Sequence, residues 1–276
     1  MDKQHTLKTA ISYAGVGLHS GREVRMTLCP APVKTGILFR RVDQAGRPEV
    51  RASAANVTST VRATTIEANG TKFFTIEHLM SAFSAAGIDN CVVELDAEEP
   101  PVGDGSALVF LDLLQEAGKK EQAALHSSVI IDQVFRVDDE DRFIMALPYD
   151  GLRVTFTSLN PHPLVGIQYA DVIIDEASYR REIAPARTIA YEKEIDALRQ
   201  MGLGLGGTLE NVIVYNDEKW LNTLRYPDEL VRHKILDVIG DLRLAGTVRG
   251  HIIAVKSAHA LNTALARKIY DAYAAR

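Results

Sequence analysis

The chain has 276 residues, 46% hydrophobic and 24% charged, an ordinary globular composition that excludes a disordered or low-complexity chain. A net charge of −5 and scattered basic residues argue against a nucleic-acid footprint, and no run approaches the roughly 18 apolar residues of a membrane span. The length suits two domains of roughly 100–150 residues better than one core. Two cysteines, Cys29 and Cys91, stand in strand-like surroundings without C-x-x-C spacing, which predicts free thiols in a reducing compartment. With no apolar leader segment at the start, the expectation is a cytoplasmic protein, monomeric and without stable membrane insertion.

Residues 1–50 read as strands and turns: the turn-rich Gly15-Val-Gly-Leu-His-Ser-Gly21, the alternating Val24-Arg-Met-Thr-Leu-Cys29, and Gly36-Ile-Leu-Phe-Arg-Arg41. The Gly-x-Gly in the first lacks the following helix and the second half of a dinucleotide fingerprint. A stretch rich in Thr, Ala and Asn, with a short β-like Thr64-Thr-Ile-Glu67, leads to a helix over 76–86. Ile76, Leu79, Met80 and Phe83 form its apolar side and Gly87 its stop, while Glu77 and His78 occupy the first turn off that side. A strand at 90–96, the loop Glu98-Glu-Pro-Pro-Val-Gly-Asp-Gly105 and a helix over about 106–117, capped by Ser106 or Asp104, complete an N-terminal domain of residues 1–120. The polar, alanine-rich residues 118–128 are the expected boundary.

The second domain, residues 125–276, opens as the first did, with strands at 129–137, 143–147 and 152–157. Further strands are expected within 166–183. Ala186-Arg-Thr-Ile189 then leads into a helix over about 191–201, a glycine-rich turn at 202–207 and a strand at 211–215. Pro227 starts the next helix, a strand covers 251–256, Ser257-Ala-His259 is a junction, and an amphipathic helix runs over 262–274. Both halves open β-rich and continue into helices, a parallel of architecture without a residue-level repeat.

The helix after Pro227 carries Glu229, His233, Asp237 and Asp241 four residues apart, opposite an apolar stripe of Val231, Ile235, Val238, Ile239 and Leu242. Imidazole and carboxylate at i and i+4 are close enough to share a metal ion. An isolated H-x-x-x-D is more often an ion pair on a wet helix face. Yet the chain also offers what a catalytic zinc requires: three ligands, in His78, His233 and Asp237, and a proton-moving group, in Glu77. His259 stands at a strand-to-helix junction, and Lys234 beside a candidate ligand could balance developing negative charge. Spacing alone leaves a structural role for each of these residues open.

At these residues the sequence resembles the zinc-dependent UDP-3-O-acyl-N-acetylglucosamine deacetylases, which commit the precursor to lipid A synthesis. The matching segments are Gly15–Gly21, Thr75-Ile-Glu-His-Leu-Met-Ser-Ala82, Glu99-Pro-Pro-Val-Gly-Asp-Gly-Ser106, Ala186-Arg-Thr188, Gly206-Gly207, Val231–Asp241 and Lys256-Ser-Ala-His-Ala-Leu-Asn262, in the family's order over nearly the whole chain. The resemblance implies an α+β fold of two similar domains, each a β-sheet layered against two helices, with the active site between them. It implies Zn2+ on His78, His233 and Asp237, Glu77 as general base, and His259 as catalytic histidine with Asp241 as its carboxylate partner. In the implied reaction Glu77 takes a proton from water, the hydroxide attacks the N-acetyl carbonyl, and Thr188 donates to the oxyanion. Protonated His259, or Glu77 itself, then protonates the leaving amine. Beside this reading stand a zinc amidohydrolase acting on another nucleotide sugar and a non-catalytic nucleotide-sugar binding module.

The resemblance further implies substrate contacts at Leu18, Ile189, Arg142 and Lys256, with Lys234 and Lys256 serving the phosphates, and a hydrophobic passage for the acyl chain at about 186–215. Three departures stand out: Ile189 where many relatives carry an aromatic residue, Arg142 where a lysine is usual, and Leu159-Asn-Pro-His-Pro163 without the phenylalanine expected near a uridine. The chain also ends sooner after the last expected helix than is common in the family.

Overall fold

Alternation of apolar and polar side chains decides which face of each sheet is buried. In Glu23–Pro30 the inward residues are Val24, Met26 and Leu28, and in Cys91–Leu95 they include Cys91, Val93 and Leu95. These strands join Ile11–Val16, Ile37–Arg41 and Glu49–Arg51 in a five-stranded sheet, ordered 11–16, 23–30, 91–95, 37–41, 49–51. The last strand in sequence, 91–95, inserts between two hairpins, antiparallel to 23–30 and parallel to 37–41.

The computed structural model describes residues 2–273, and its other large sheet repeats this topology strand for strand. Phe135–Asp139 and Arg142–Leu147 form one hairpin, and Leu152–Leu159 and Ile167–Ile174 the other. Thr247–Val255 inserts between them, antiparallel to 142–147 and parallel to 152–159. The expected α+β class with two sheet-and-helix units is therefore what the chain adopts, and the duplication is one of topology.

In chain order the α-helices among the described residues are α1 (Glu77–Ala86), α2 (Leu108–Ala117), the single turn α3 (Glu176–Ser178), α4 (Glu192–Gln200), α5 (Glu229–Leu242) and α6 (His259–Tyr273). Helices α1 and α2 flank in sequence the inserted strand of the first sheet, and α5 and α6 that of the second. Leu79, Met80 and Phe83 of α1, Phe110 and Leu114 of α2, Ile235 and Ile239 of α5 and Leu265 and Ile269 of α6 belong to one continuous core with the inner faces of both sheets. No helix among the described residues is long and apolar enough to cross a membrane.

Local chemistry accounts for several element ends. Gly87 closes α1 at φ 63, a left-handed position that costs glycine nothing. The Ser106 hydroxyl, its partner in turn Asp104, accepts from the amide of Leu108 at the start of α2, as expected of a cap.

Elsewhere the expectations need correction. The single strand expected at 129–137 is two, because Ser128–Ile130 pairs with Thr247–Arg249 while Phe135–Asp139 pairs with 142–146. The strands expected throughout 166–183 end at Ile174. Asp175 then caps α3 in a reciprocal box with Ser178, and a π-turn, Tyr179–Ile183, follows. The polar segment 118–128 contains the strand Lys119–Leu125, which pairs back onto Lys3–Leu7. The terminal helix starts at His259, three residues before the expected 262, and Ala274 lies outside the described residues.

The two units meet where α1 packs across α5. A Cβ at Gly240 would lie 2.0 Å from the carbonyl oxygen of Glu77, so only glycine permits this approach. The obstacle is backbone at the first residue of α1, and the helices must part to admit a side chain. Gly240→Ala is expected to cost at least about 1–3 kcal/mol, read as a lowered urea midpoint.

Candidate active site

Glu77 and His78 are buried in the first turn of α1, on a helix whose entry is strained. Thr75 just before it has φ 57, a left-handed conformation unfavourable for a β-branched residue. Its hydroxyl donates to Glu99 (2.8 Å), and the same carboxylate accepts from the amides of His19 (2.9 Å) and Ser20 (2.8 Å). One buried carboxylate thus holds both the entry to α1 and the loop carrying Leu18 and His19.

From α5, the expected polar seam faces away from bulk water: Glu229, His233, Asp237 and Asp241 are all buried. The Nε2 atoms of His233 and His78 lie 3.4 Å and 3.8 Å from Asp237 Oδ1, and the three ligand atoms all fall within 4.8 Å of one another. Donors bound to one zinc lie about 3.3–3.6 Å apart, so this cluster is close to a ligand set and needs only a small contraction.

Burial, followed by the neighbouring His233, lowers His78 to about 3, and burial likewise lowers His233, so both rings are neutral at pH 7. Burial disfavours the Asp237 carboxylate, but Lys234 and His233 outweigh it and hold Asp237 well below the usual carboxylate range. Lys234 donates to Asp237 Oδ2 at 2.9 Å, whereas Oδ1 is buried and accepts no hydrogen bond from any described residue. A buried anionic oxygen without a donor, facing two neutral imidazoles, fits a divalent cation. The Ala186 carbonyl lies 3.0 Å from His233 Nδ1, which places the proton there and leaves Nε2 free to ligate.

Beside this cluster lie Glu77 and His259, with His259 Nε2 3.8 Å from Glu77 Oε1. Burial raises Glu77 to about 7; the charge of His259 opposes the rise, and Asp241 and Asp237 add to it. For His259 burial alone would lower the value. Asp241, whose Oδ2 lies 2.9 Å from His259 Nδ1, and Glu77 raise it instead, to about 10. The pair at pH 7 is an imidazolium beside a carboxylate poised to gain or lose a proton.

These groups form the polar end of a cavity of about 530 Å³. Thr188 and Lys234 line it with them, and Leu18, Ile189, Ile195, Leu198, Val212 and Leu221 line its apolar remainder. The apolar wall comes largely from 189–215, where Ile189–Tyr191 pairs in parallel with Ile213–Tyr215 and α4, without a fully buried residue, lies between them in sequence.

Nine of the twelve expected residues therefore line one cavity: Leu18, Glu77, His78, Thr188, Ile189, His233, Lys234, Asp237 and His259. Asp241 stands behind His259. Arg142 and Lys256 lie outside the lining, where they pair with Asp139 and Asp141. Glu229, one turn too early on α5 to reach the cluster, pairs with buried Arg187.

Thr64, His19, Arg62, Glu99 and Asn262 went unassigned in the sequence. Three of them, His19, Glu99 and Asn262, sit inside the matching segments, which was the available signal; Thr64 and Arg62 had none.

If the cluster is a metal site, purified protein equilibrated with zinc and then desalted should retain about one equivalent by elemental analysis. Asp237→Ala and His78→Ala should each retain much less while keeping the parent's circular dichroism spectrum. Equal retention by parent and variants would place any bound metal elsewhere.

A family model described as UDP-3-O-acyl N-acetylglycosamine deacetylase matches residues 4–271. The chain is 46% identical over 274 residues to the UDP-3-O-acyl-N-acetylglucosamine deacetylase of Hahella chejuensis, covering 98% of this chain and 91% of that one. The proteins of the same description from Marinobacter nauticus and Alcanivorax borkumensis are 46% and 45% identical, each covering 98% of this chain and 90% of the relative.

Proposed function

The chain belongs to the UDP-3-O-acyl N-acetylglycosamine deacetylase family, and on that premise we propose that it hydrolyses the N-acetyl group of UDP-3-O-acyl-N-acetylglucosamine, giving acetate and the free amine for lipid A biosynthesis. The observation that carries this reading is the convergence of a three-donor cluster, a carboxylate raised to about 7 and a protonated histidine in one cavity whose wall also presents the apolar side chains of Leu18, Ile189, Ile195, Leu198, Val212 and Leu221. A cytoplasmic, monomeric protein with free thiols at Cys29 and Cys91 belongs to the same proposal.

The metal assigned to His78, His233 and Asp237 is Zn2+, whose Lewis acidity would make water a stronger nucleophile and polarise the acetyl carbonyl. Glu77 takes the proton from that water. Its raised value suits a base that must accept a proton near neutrality and release it again within one turnover. His259, kept cationic by Asp241, presents Nε2–H on the side where Glu77 works, so it stabilises the developing oxyanion and then supplies a proton to the departing amine nitrogen. The Thr188 hydroxyl, which also lines the cavity, donates to the same oxyanion.

Substrate placement follows the polarity of the walls. The acyl chain occupies the apolar limb beyond Leu18 and Ile189, where each buried methylene contributes about 0.8 kcal/mol. Lys234 faces the charged part of the substrate, its ammonium pulled down by burial but raised overall by Asp237. Lys256, three residues before His259, and Arg142 serve the diphosphate by exchanging Asp141 and Asp139 for phosphate oxygens.

Acetate release from the acylated UDP-sugar by the zinc-loaded protein tests the reading directly; a loaded protein that releases none refutes it. Glu77→Gln should lower kcat by about 10²–10⁴ while leaving zinc content and substrate binding near those of the parent. A nucleotide-sugar binding module would lose nothing by that change.

Rate should also depend on pH from both sides. Glu77 must be ionised to act as base, so kcat/KM falls as pH drops through its value of about 7. His259 must be protonated, so kcat/KM falls again as pH rises through about 10. A bound cation draws both limbs downward, since it favours the less protonated form of each. His259→Gln should remove the alkaline limb, and a limb unchanged in that variant would assign it to another group.

A further inference from the structure

We propose that Thr64 is a positioning residue that locks Glu77 and His259 into one arrangement across the boundary between the two halves of the chain. The proposal rests on the roles given above to Glu77 and His259, and its own observation is a closed ring of contacts. The Thr64 amide donates to Glu77 Oε2 at 3.1 Å, and its hydroxyl donates to Asp241 Oδ1 at 2.5 Å. From Asp241 the ring continues through Oδ2 to His259 Nδ1 at 2.9 Å, and from His259 Nε2 back to Glu77 Oε1 at 3.8 Å.

The chemistry of the ring needs a hydroxyl donor at this position. Asp241 is fully buried, and an ionised carboxylate only accepts hydrogen bonds. Its Oδ2 accepts from His259 and from Asn262 Nδ2 (2.9 Å), and Asn262 is itself turned by the Ser257 hydroxyl (2.6 Å). Thr64 supplies the donor to Oδ1. Without it one oxygen of a buried anion has lost its partner, and rotation of the carboxylate to find another would turn the imidazole it orients. The methyl group of threonine fits a fully buried position, and its restricted χ1 aims the hydroxyl.

Thr64 is also placed to couple the two carboxylates. It ends the loop that contributes Thr60 and Arg62 to the cavity wall and immediately precedes the strand Thr65–Ala68. Its backbone belongs to the same half of the chain as Glu77, whereas Asp241 and His259 belong to the other. Packing of α1 on α5 sets the spacing of these groups to the nearest side chain; the Thr64 bonds set their angles.

The test compares Thr64→Val, which keeps the size and the amide but deletes the hydroxyl, with Thr64→Ser, which keeps the hydroxyl, both zinc-loaded. Thr64→Val should lower kcat about ten- to a hundredfold, by analogy with the loss on removing a hydrogen-bond partner behind a metal-ligating histidine, with KM and bound zinc unchanged. Thr64→Ser should recover kcat to within about threefold of the parent. In a His259→Gln background Thr64→Val should change kcat by less than about twofold, because a group that acts through His259 has nothing left to orient.

A purely structural threonine would instead give the same fold-loss in both backgrounds, or leave Thr64→Ser as impaired as Thr64→Val; either result overturns the proposal. If Thr64→Val does not fold, Thr64→Ala deletes the same hydroxyl with a smaller side chain and carries the same expectations. An active parent whose hydroxyl-less variant is equally active sinks this assignment alone, whereas a zinc-loaded parent that releases no acetate sinks the functional reading and this assignment with it.

Discussion

The approach of α1 to α5 at Gly240 is the constraint on which the rest depends. Neither helix holds a complete site: α1 brings Glu77 and His78, and α5 brings His233, Asp237 and Asp241. Backbone against backbone is the closest packing two helices can reach, and here it occurs at Glu77, whose side chain lines the cavity. The core enforces the contact, since Leu79 and Phe83 of α1 and Ile235 and Ile239 of α5 are buried in one continuous cluster with residues of both sheets. The energy that assembles the site is thus hydrophobic burial spread over both units, and the polar groups are carried into place by it.

Once assembled, the site has an electrostatic problem. Asp237, Asp241 and Glu77 are three buried carboxylates, and the charges of Asp241 and Asp237 add to the rise that burial imposes on Glu77. Each finds a different solution. Asp237 has Lys234 on one oxygen and, on the other, two neutral imidazoles that leave room for a cation. Asp241 has an imidazolium, an amide and a hydroxyl. Glu77 has one backbone amide and a histidine beyond hydrogen-bond range, and it is the carboxylate left with a value near neutrality. Unequal compensation gives three groups of the same intrinsic chemistry three different environments, which is what the roles proposed for them as ligand, orienting group and base require.

The sequence made some of this legible and concealed the rest for physical reasons. Period-3.6 patterning located α1 and α5, and Gly87 and Pro227 marked their limits to within two residues, because these helices bury a stripe that leaves a strong apolar signature. Spacing could not show that residue 78 meets residue 233. That meeting depends on a glycine contact, and a glycine inside a helix announces only a weakened helix. The strand Lys119–Leu125 was hidden because it pairs at the surface with Lys3–Leu7 and carries charged and alanine residues in place of an apolar run. Residues 175–183 read as strand because Tyr179 and Ile183 are apolar and spaced ambiguously, although Asp175 and Ser178 carried the signature of a cap. Thr64 lay in a threonine- and alanine-rich stretch where nothing distinguishes a donor to a buried carboxylate from a surface hydroxyl.

The duplicated topology explains why a site of this kind forms between the units. In each sheet the final strand inserts between two hairpins, so the helix before it must cross one face of the sheet to reach that central position. Two such units packed through their crossing helices put α1 against α5, and the functional side chains sit where these helices meet. The asymmetry lies in what each unit inserts before its crossing helix: a three-stranded antiparallel sheet, Val57–Ser59, Thr65–Ala68 and Thr71–Phe73, in the first and the segment 189–215 in the second. That segment's helix α4 has no fully buried residue, whereas Ile213–Tyr215 of its parallel strand pair is buried, and together they supply wall for the apolar limb. The shared scaffold fixes where the polar cluster forms, and the inserted segment, anchored by that buried strand, shapes the space beside it. Substitutions at Ile195 or Leu198 therefore act on the shape of the limb without passing through the α1–α5 contact that holds the reacting groups.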